Sequence, residues 1–376
     1  MGGSTTRQLA SPHLPGVATR ADAQPLRPST DHAVLPPSSL RRSLAPYCDP
    51  PSARAVVAVL DGVAFYLAFV AGALLLHDLR WRVACAIAIA PAAGRLFMRA
   101  HDAAHGSLTS SPALNQVLGR IAFLPTFHPM SHWALLHNRR HHVFTNLRSR
   151  DVVWAPLSPR EYADLPPWRQ ARYRLYRTTA GFGLYHLVEL WWKHFLFPRR
   201  AAIGTRTAIN LFDQLLVGAF FAGLTLAAGT TADWRPVPWL ESLALVVALP
   251  LALFCSIAGF VSYFHHTHPD IPWFDDPATW RRDSDQLGTS LQLSFSPLVG
   301  RILGDVMEHP AHHLEPRISL ARLREAQAHL SELVGEAGVS QRWTWRAHRQ
   351  IVAACKLYDF ERGCWCDFSG RATAGR

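Results

Sequence analysis

Twenty histidines are spread unevenly along this chain of 376 residues, and four of their clusters have spacings suited to metal binding. His101 and His105 stand in His-Asp-Ala-Ala-His, and His137, His141 and His142 in His-Asn-Arg-Arg-His-His. His265, His266 and His268 stand in His-His-Thr-His-Pro, and His309, His312 and His313 in His-Pro-Ala-His-His. Residues three or four apart on a helix share a face. The spacing therefore predicts that His101 with His105, His137 with His141, and His309 with His312 each point at one metal. His142 and His313 then point about 100° away, toward a second metal. Those eight imidazoles, with His266 as a ninth, supply enough nitrogen for two open-shell metals with positions left for oxygen. His128 and His132, also four apart, stand outside these clusters and are read as non-ligands.

All-imidazole sites suit zinc, copper, iron or nickel. Zinc takes three or four ligands, not eight or nine. The His-Glu-x-x-His of a zinc-protease helix does not occur. No glutamate has a histidine three residues later, which removes the Glu-x-x-His pairs of soluble di-iron bundles. A histidine-rich di-iron centre, holding two Fe ions, remains. A metal transporter or sensor would place polar residues through the middle of its membrane runs, and here Asp61 and Asp213 are the ones that interrupt them.

The elements that position these histidines are read from hydrophobicity. Ala55–Leu76, Ala208–Thr230 and Trp239–Phe264 are apolar runs long enough to cross a hydrocarbon core about 30 Å thick. Val83–Ala100 is a fourth, with Arg95 and Arg99 near one end, where they can snorkel outward. The two short connections, His77–Arg82 and Thr231–Pro238, hold three arginines between them, Arg80, Arg82 and Arg235, whereas the remaining segments hold nearly all the others. That bias puts both termini and every histidine cluster on the cytosolic side. The first cluster ends the second run and the third ends the fourth, so all four meet at one membrane boundary. The expected architecture is an all-α integral membrane protein: four transmembrane helices under a cytosolic helical cap that carries the histidines. Expected limits are a disordered N-terminal tail, 1–52, a membrane domain, 53–330, and a C-terminal cytosolic tail, 331–376. Ala113–Phe127 and Gly181–Phe197 are read as helices in the headgroup plane. The net charge of +11 is explained by orientation and membrane lipids, and nucleic acid is not an expected partner. Cys364 and Cys366 lack the second pair of a zinc site and are read as free thiols.

With these motifs in place, the chain resembles the membrane fatty-acid desaturases, in particular the acyl-lipid omega-6 (delta-12) and omega-3 branch. The likeness runs from about Leu79 to Ala328. Leu124-Pro125 leading to Trp133, Leu136 and His137, then Thr145-Asn146, resembles the surroundings of the second histidine box of that branch. His266-Thr267-His268-Pro269 with Pro272 resembles its fourth-helix signature, and Asp305, His309–Leu314 and Pro316-Arg317-Ile318 resemble its third box. The second box here has three residues between His137 and His141, where two are common in the branch. The resemblance implies iron ligands His101, His105, His137, His141, His142, His266, His309, His312 and His313, with His265 and His268 as possible additions. Asp102, Asp305 and Glu308, beside ligands, are candidates to orient imidazole N–H groups. It implies O2-dependent removal of two hydrogens from a saturated stretch of a fatty acyl chain carried on lipid, CoA or a carrier protein. Hydroxylation, acetylenation and carotenoid ketolation on the same scaffold stay open. No flavin or nicotinamide fingerprint is present, so electrons are expected from a partner such as ferredoxin or cytochrome b5. The basic cytosolic face suits an acidic carrier.

Overall fold

A computed structural model describes residues 36–199, 207–233 and 238–374. Four helices are long and apolar enough to cross a membrane: Ser52–Leu75, Leu79–His105, Ala208–Thr231 and Trp239–His266. In chain order the helices that matter here are α1 (Pro37–Leu44), α2 (Ser52–Leu75), α3 (Leu79–His105), α4 (Pro112–Phe123) and α5 (Met130–Leu136). α5 runs directly into a π-helical turn, His137–His141. α6 (Phe182–Tyr185) likewise continues as a π-helix, His186–Leu196. They are followed by α7 (Ala208–Asp233), α8 (Trp239–His266), α9 (Pro297–Ile302), α10 (His309–Leu314), α11 (Leu320–Val334) and α12 (Trp345–Ala354).

α3 is the central post. Asp78 caps its start by accepting from the Arg80 amide at 2.8 Å, and Gly106 ends it in the left-handed conformation (φ 73°). Its 27 residues rise about 40 Å, about 10 Å more than a hydrocarbon core requires. His101 and His105 lie in its last two turns. Away from the cap, buried Arg82 donates to the Ala73 carbonyl at 2.8 Å, to Glu241 at 2.6 Å and to Ser242 at 3.0 Å, tying α2, α3 and α8 together. Asp213, one of the acids in the membrane runs, is buried: it accepts from Arg120 Nε at 2.6 Å and from the Ser131 amide at 2.7 Å. α8 crosses α6 so closely that a Cβ on Gly259 would collide with the Phe182 carbonyl.

Two apolar cores meet at the histidines. One is built from the membrane helices with Phe123, Met130, Trp133, Leu190 and Phe195; the other lies in the cap. The part of the expected N-terminal tail that is described, 36–52, is structured: Leu40 and Leu44 of α1 are buried in the cap core, and Arg41 Nε donates to the Leu314 carbonyl at 2.8 Å. Residues 1–35 lie outside the described residues. The C-terminal segment expected as a tail is also folded. Strand β1 (Leu291–Ser294) pairs in parallel with β2 (Val339–Arg342), while β3 (Leu357–Asp359), β4 (Cys364–Cys366) and β5 (Ala372–Ala374) form an antiparallel sheet. Ile351, Cys355, Tyr358 and Trp365 join Tyr263 and Phe264 of α8 in the cap core. Short strands without a long alternating pattern leave little signal in sequence, and apolar burial holds them here. Cys364 and Cys366 are buried free thiols within β4.

Candidate metal centre

Nine histidines converge where α3, the α5 turn, α8 and α10 meet. Ligand atoms of His101, His105, His137 and His312 lie within 4.8 Å of one another, and so do those of His141, His266, His309 and His313. His142 joins the first group: its Nε2 stands 3.0 Å from His137 Nε2 and 3.1 Å from His312 Nε2. The result is one set of five imidazoles and one of four.

This grouping corrects the pairing expected from helical spacing. His137 and His141 belong to different sets, and so do His309 and His312. Of the three expected pairs, only His101 with His105 shares a set. The second box forms a π turn in which the His142 amide donates to the His137 carbonyl at 3.0 Å, an i to i+5 bond. That winding places His142, not His141, over His137. The third residue between His137 and His141 is thereby absorbed as a π-bulge, a device that recurs at functional sites. In α10 the α-helical i, i+4 pair is His309 with His313, which leaves His312 facing the other set.

The imidazoles are oriented from behind. His141 Nδ1 lies 3.0 Å from Asp151 Oδ2, and the same carboxylate accepts from the Asn146 and Val153 amides at 3.1 and 3.0 Å. Burial pushes the Asp151 carboxyl up, but the adjacent His141 and these donors outweigh it and hold the group below the usual range. His266 Nδ1 faces the Thr289 carbonyl at 2.8 Å, and His313 Nδ1 faces Thr145 Oγ1 at 3.2 Å. Asp151 escaped the sequence reading because it lies ten residues from its histidine, in a loop. Asn146, at φ 60° and donating to the Pro272 and Thr289 carbonyls, folds that loop back.

Of the three acids expected to orient ligands, Asp102 alone reaches an imidazole. It lies 3.4 Å from His101 Nδ1 and accepts from the Leu320 amide at 3.0 Å. Asp305 instead pairs with Arg324, and Glu308 accepts from Gln292 at 2.9 Å. Adjacency in sequence does not carry these carboxylates inward: Asp305 stands in the turn before α10 at φ 53°, and Glu308 is bridged to Gln292 just ahead of that helix. His265 stacks on His309 at 3.5 Å between centroids without joining either set. His268 lies away from both; its Nδ1 accepts from the Asp270 amide at 3.2 Å and closes a turn. His128 and His132 are buried and belong to neither set.

The donor set fits a metal pair. The near-contacts between ligand atoms, including His266 Nε2 to His309 Nε2 at 3.0 Å, pair nitrogen with nitrogen. Two nitrogens held about 2.1 Å from one ion and at right angles are about 3.0 Å apart. His105 Nε2, His142 Nδ1, His309 Nδ1, His312 Nδ1 and His313 Nε2 are buried with no hydrogen-bond partner. Burial, reinforced by neighbouring imidazoles, holds His137, His142, His309, His312 and His313 well below the ordinary histidine range, so they are neutral and free to coordinate.

Beneath the histidines lies an apolar cavity of about 170 Å³ that opens to the surface. His101 and His137 of one set and His141, His266 and His309 of the other form part of its wall, and Phe97, Trp133 and Phe254 form much of the rest. His186, which the sequence did not single out, also lines it; burial pushes this imidazole down to about 4.

The family model described as fatty acid desaturase matches residues 79–345. This chain belongs to the fatty acid desaturase family. It is an oxidoreductase whose reaction is fatty acid desaturation. The desaturase is similar to the sn-1 oleoyl-lipid 12-desaturase of Picosynechococcus sp., at 28% identity over 270 residues that cover 70% of this chain and 73% of the relative. It is also similar to the chloroplastic omega-6 fatty acid desaturase of Glycine max, 28% identical over 72% of this chain and 61% of the relative. Its match to the protein of the same description from Arabidopsis thaliana, again 28% identical, covers 70% of this chain and 56% of the relative. The desaturase therefore spans less than two thirds of these plant relatives.

Proposed function

We propose that the protein carries out O2-dependent desaturation of a fatty acyl chain, delta-12 or omega-6 in type, at a di-iron centre. His101, His105, His137, His142 and His312 would hold one iron, and His141, His266, His309 and His313 the other. When bound, the irons supply the O2 activation and C–H cleavage that no side chain here supplies. The single observation that carries this reading is the apolar cavity whose wall includes imidazoles of both sets. The regiochemistry is taken from the descriptions of the relatives.

The chain's own residues perform the rest. The cavity binds the acyl chain by burying methylenes, each worth about 0.8 kcal/mol. Phe97, Trp133 and Phe254 exclude water and hold the chain beside the imidazoles. Trp133 stacks on His137 with ring centroids 4.2 Å apart, which fixes that imidazole over the cavity. Asp151, the Thr289 carbonyl and Thr145 keep their partner histidines in one orientation, so that the opposite ring nitrogens point inward. Electrons come from an external donor, ferredoxin or cytochrome b5 in type, docking on an arginine-rich cytosolic face. Both termini and the histidine boxes lie on that side.

Expression in a host rich in oleate, followed by fatty-acid profiling, tests the reading. A new diene at one fixed position is the expected product. An unchanged profile, with the protein present in the membrane and supplied with an electron donor, contradicts it.

A further inference from the structure

The acyl cavity opens beside three arginines. Arg95, Met98 and Ile302 line both the cavity and a surface pocket between α3 and α9. Arg95 and Pro91 also line a groove between α2 and α3, walled by Phe65 and Phe69. Cavity, groove and pocket thus meet at Arg95. Arg99, one turn further along α3, lines the groove and the pocket, and Arg301 of α9 lines the pocket.

None of these three guanidiniums has a hydrogen-bond or ion-pair partner among the described residues. Two acids lie nearby. Asp305, in the pocket, is already held by Arg324, and Asp61, in the groove, also lacks an ion-pair partner. Three cations therefore face one uncommitted carboxylate, and the mouth keeps a net positive charge.

Depth gives the site its meaning. At about 1.5 Å per residue, Arg95 lies about 24 Å and Arg99 about 30 Å along α3 from Leu79. A hydrocarbon core is about 30 Å thick, so Arg99 stands at the headgroup layer on the side of the histidines, and Arg95, about 6 Å short of it, reaches it by extending its side chain. Leu298 and Ile302 of α9 are 70% and 61% exposed beside Arg301, an apolar surface suited to lipid. A planar guanidinium pairs with a phosphate through two parallel hydrogen bonds. A neutral sugar headgroup would leave all three without an anion.

We propose that Arg95, Arg99 and Arg301 form a phosphate site for the headgroup of a glycerophospholipid, whose acyl chain enters the cavity sideways between α3 and α9. The proposal rests on the acyl-chain reading above and adds the chemistry of the carrier. A membrane lipid fits better than an aqueous thioester because the groove is walled by Phe65 and Phe69 on bilayer-depth helices.

The test offers the full-length protein a mixture of phosphatidylcholine, monogalactosyldiacylglycerol and oleoyl-CoA, all carrying the same acyl chain. Retained lipid is identified by native mass spectrometry, a readout that requires neither metal nor electrons. Phosphatidylcholine should be retained about tenfold over each of the others. The triple variant R95Q/R99Q/R301Q, with its metal content checked as a control for folding, should lose that preference. Equal retention of the classes, a preference for oleoyl-CoA, or a preference that survives in the triple variant overturns the phosphate site. A preference for phosphatidylcholine with no desaturated product on any lipid keeps the phosphate site and removes the desaturation reading instead.

Discussion

Asp151 and His141, ten residues apart, meet at 3.0 Å, carboxylate to Nδ1, with both side chains almost fully shut off from solvent. Since that contact fixes the Nδ1 side, the Nε2 side of His141 is committed to the four-histidine set. Asp151→Asn preserves shape and removes the charge. It should weaken metal binding or activity by about 10- to 100-fold while leaving the protein folded in the membrane. Metal titration of the purified variant checks this; unchanged affinity would mean the contact has no orienting role.

The π turn at His137–His141 makes an unusual prediction. If it absorbs one surplus residue, deleting exposed Arg139 lets an α-helical turn bring the second histidine of the shortened pair over His137. That deletion should keep both metals, with activity within about tenfold of the parent. Loss of a metal would show that the bulge is needed to form the two sets. The comparison to run is metal content together with fatty-acid profile.

Histidines inside and outside the sets should separate sharply. His141→Ala and His312→Ala each remove one ligand from a different set and should abolish the diene, a loss of at least about 100-fold, without clearing the protein from the membrane. His268→Ala removes a turn acceptor for the Asp270 amide and a 3.4 Å contact with the Asp270 carboxylate, and should keep activity within about threefold. An inactive but folded His268→Ala protein would place this residue back at the centre.

Acid should unfold the metal-free protein early. Burial, then neighbouring imidazoles, depresses His137, His142, His309, His312 and His313. Below about pH 6.5 the unfolded chain therefore binds protons that the folded chain refuses. Their contribution to stability is complete above about pH 6.5 and falls as pH drops, each adding up to about 1.4 kcal/mol per pH unit. Thermal unfolding of the metal-free protein in detergent should show a clearly lower midpoint at pH 5.5 than at 7.5. A flat profile would mean these imidazoles are solvated.

Long-range order was legible in the sequence wherever a strong period carried it. The four membrane helices and the clusters at their ends follow from apolar runs and from the histidines at 101, 105, 137, 141, 142, 266, 309, 312 and 313. Which imidazoles share a set was not legible, because that depends on local winding: an α period was assumed at His137–His142, where the chain forms a π turn. Asp151 was hidden by its loop, and Asp305 and Glu308 were favoured only by adjacency. α1 and the C-terminal strands were missed for another reason. They are short and are held by burial of Leu40, Leu44, Tyr358 and Trp365 in the cap core, a tertiary effect with little local signature.

Elemental analysis of the purified, membrane-extracted protein tests the central claim most directly. Two bound irons per chain are predicted, one for each set of imidazoles. A single ion per chain, or zinc in place of iron, would contradict it.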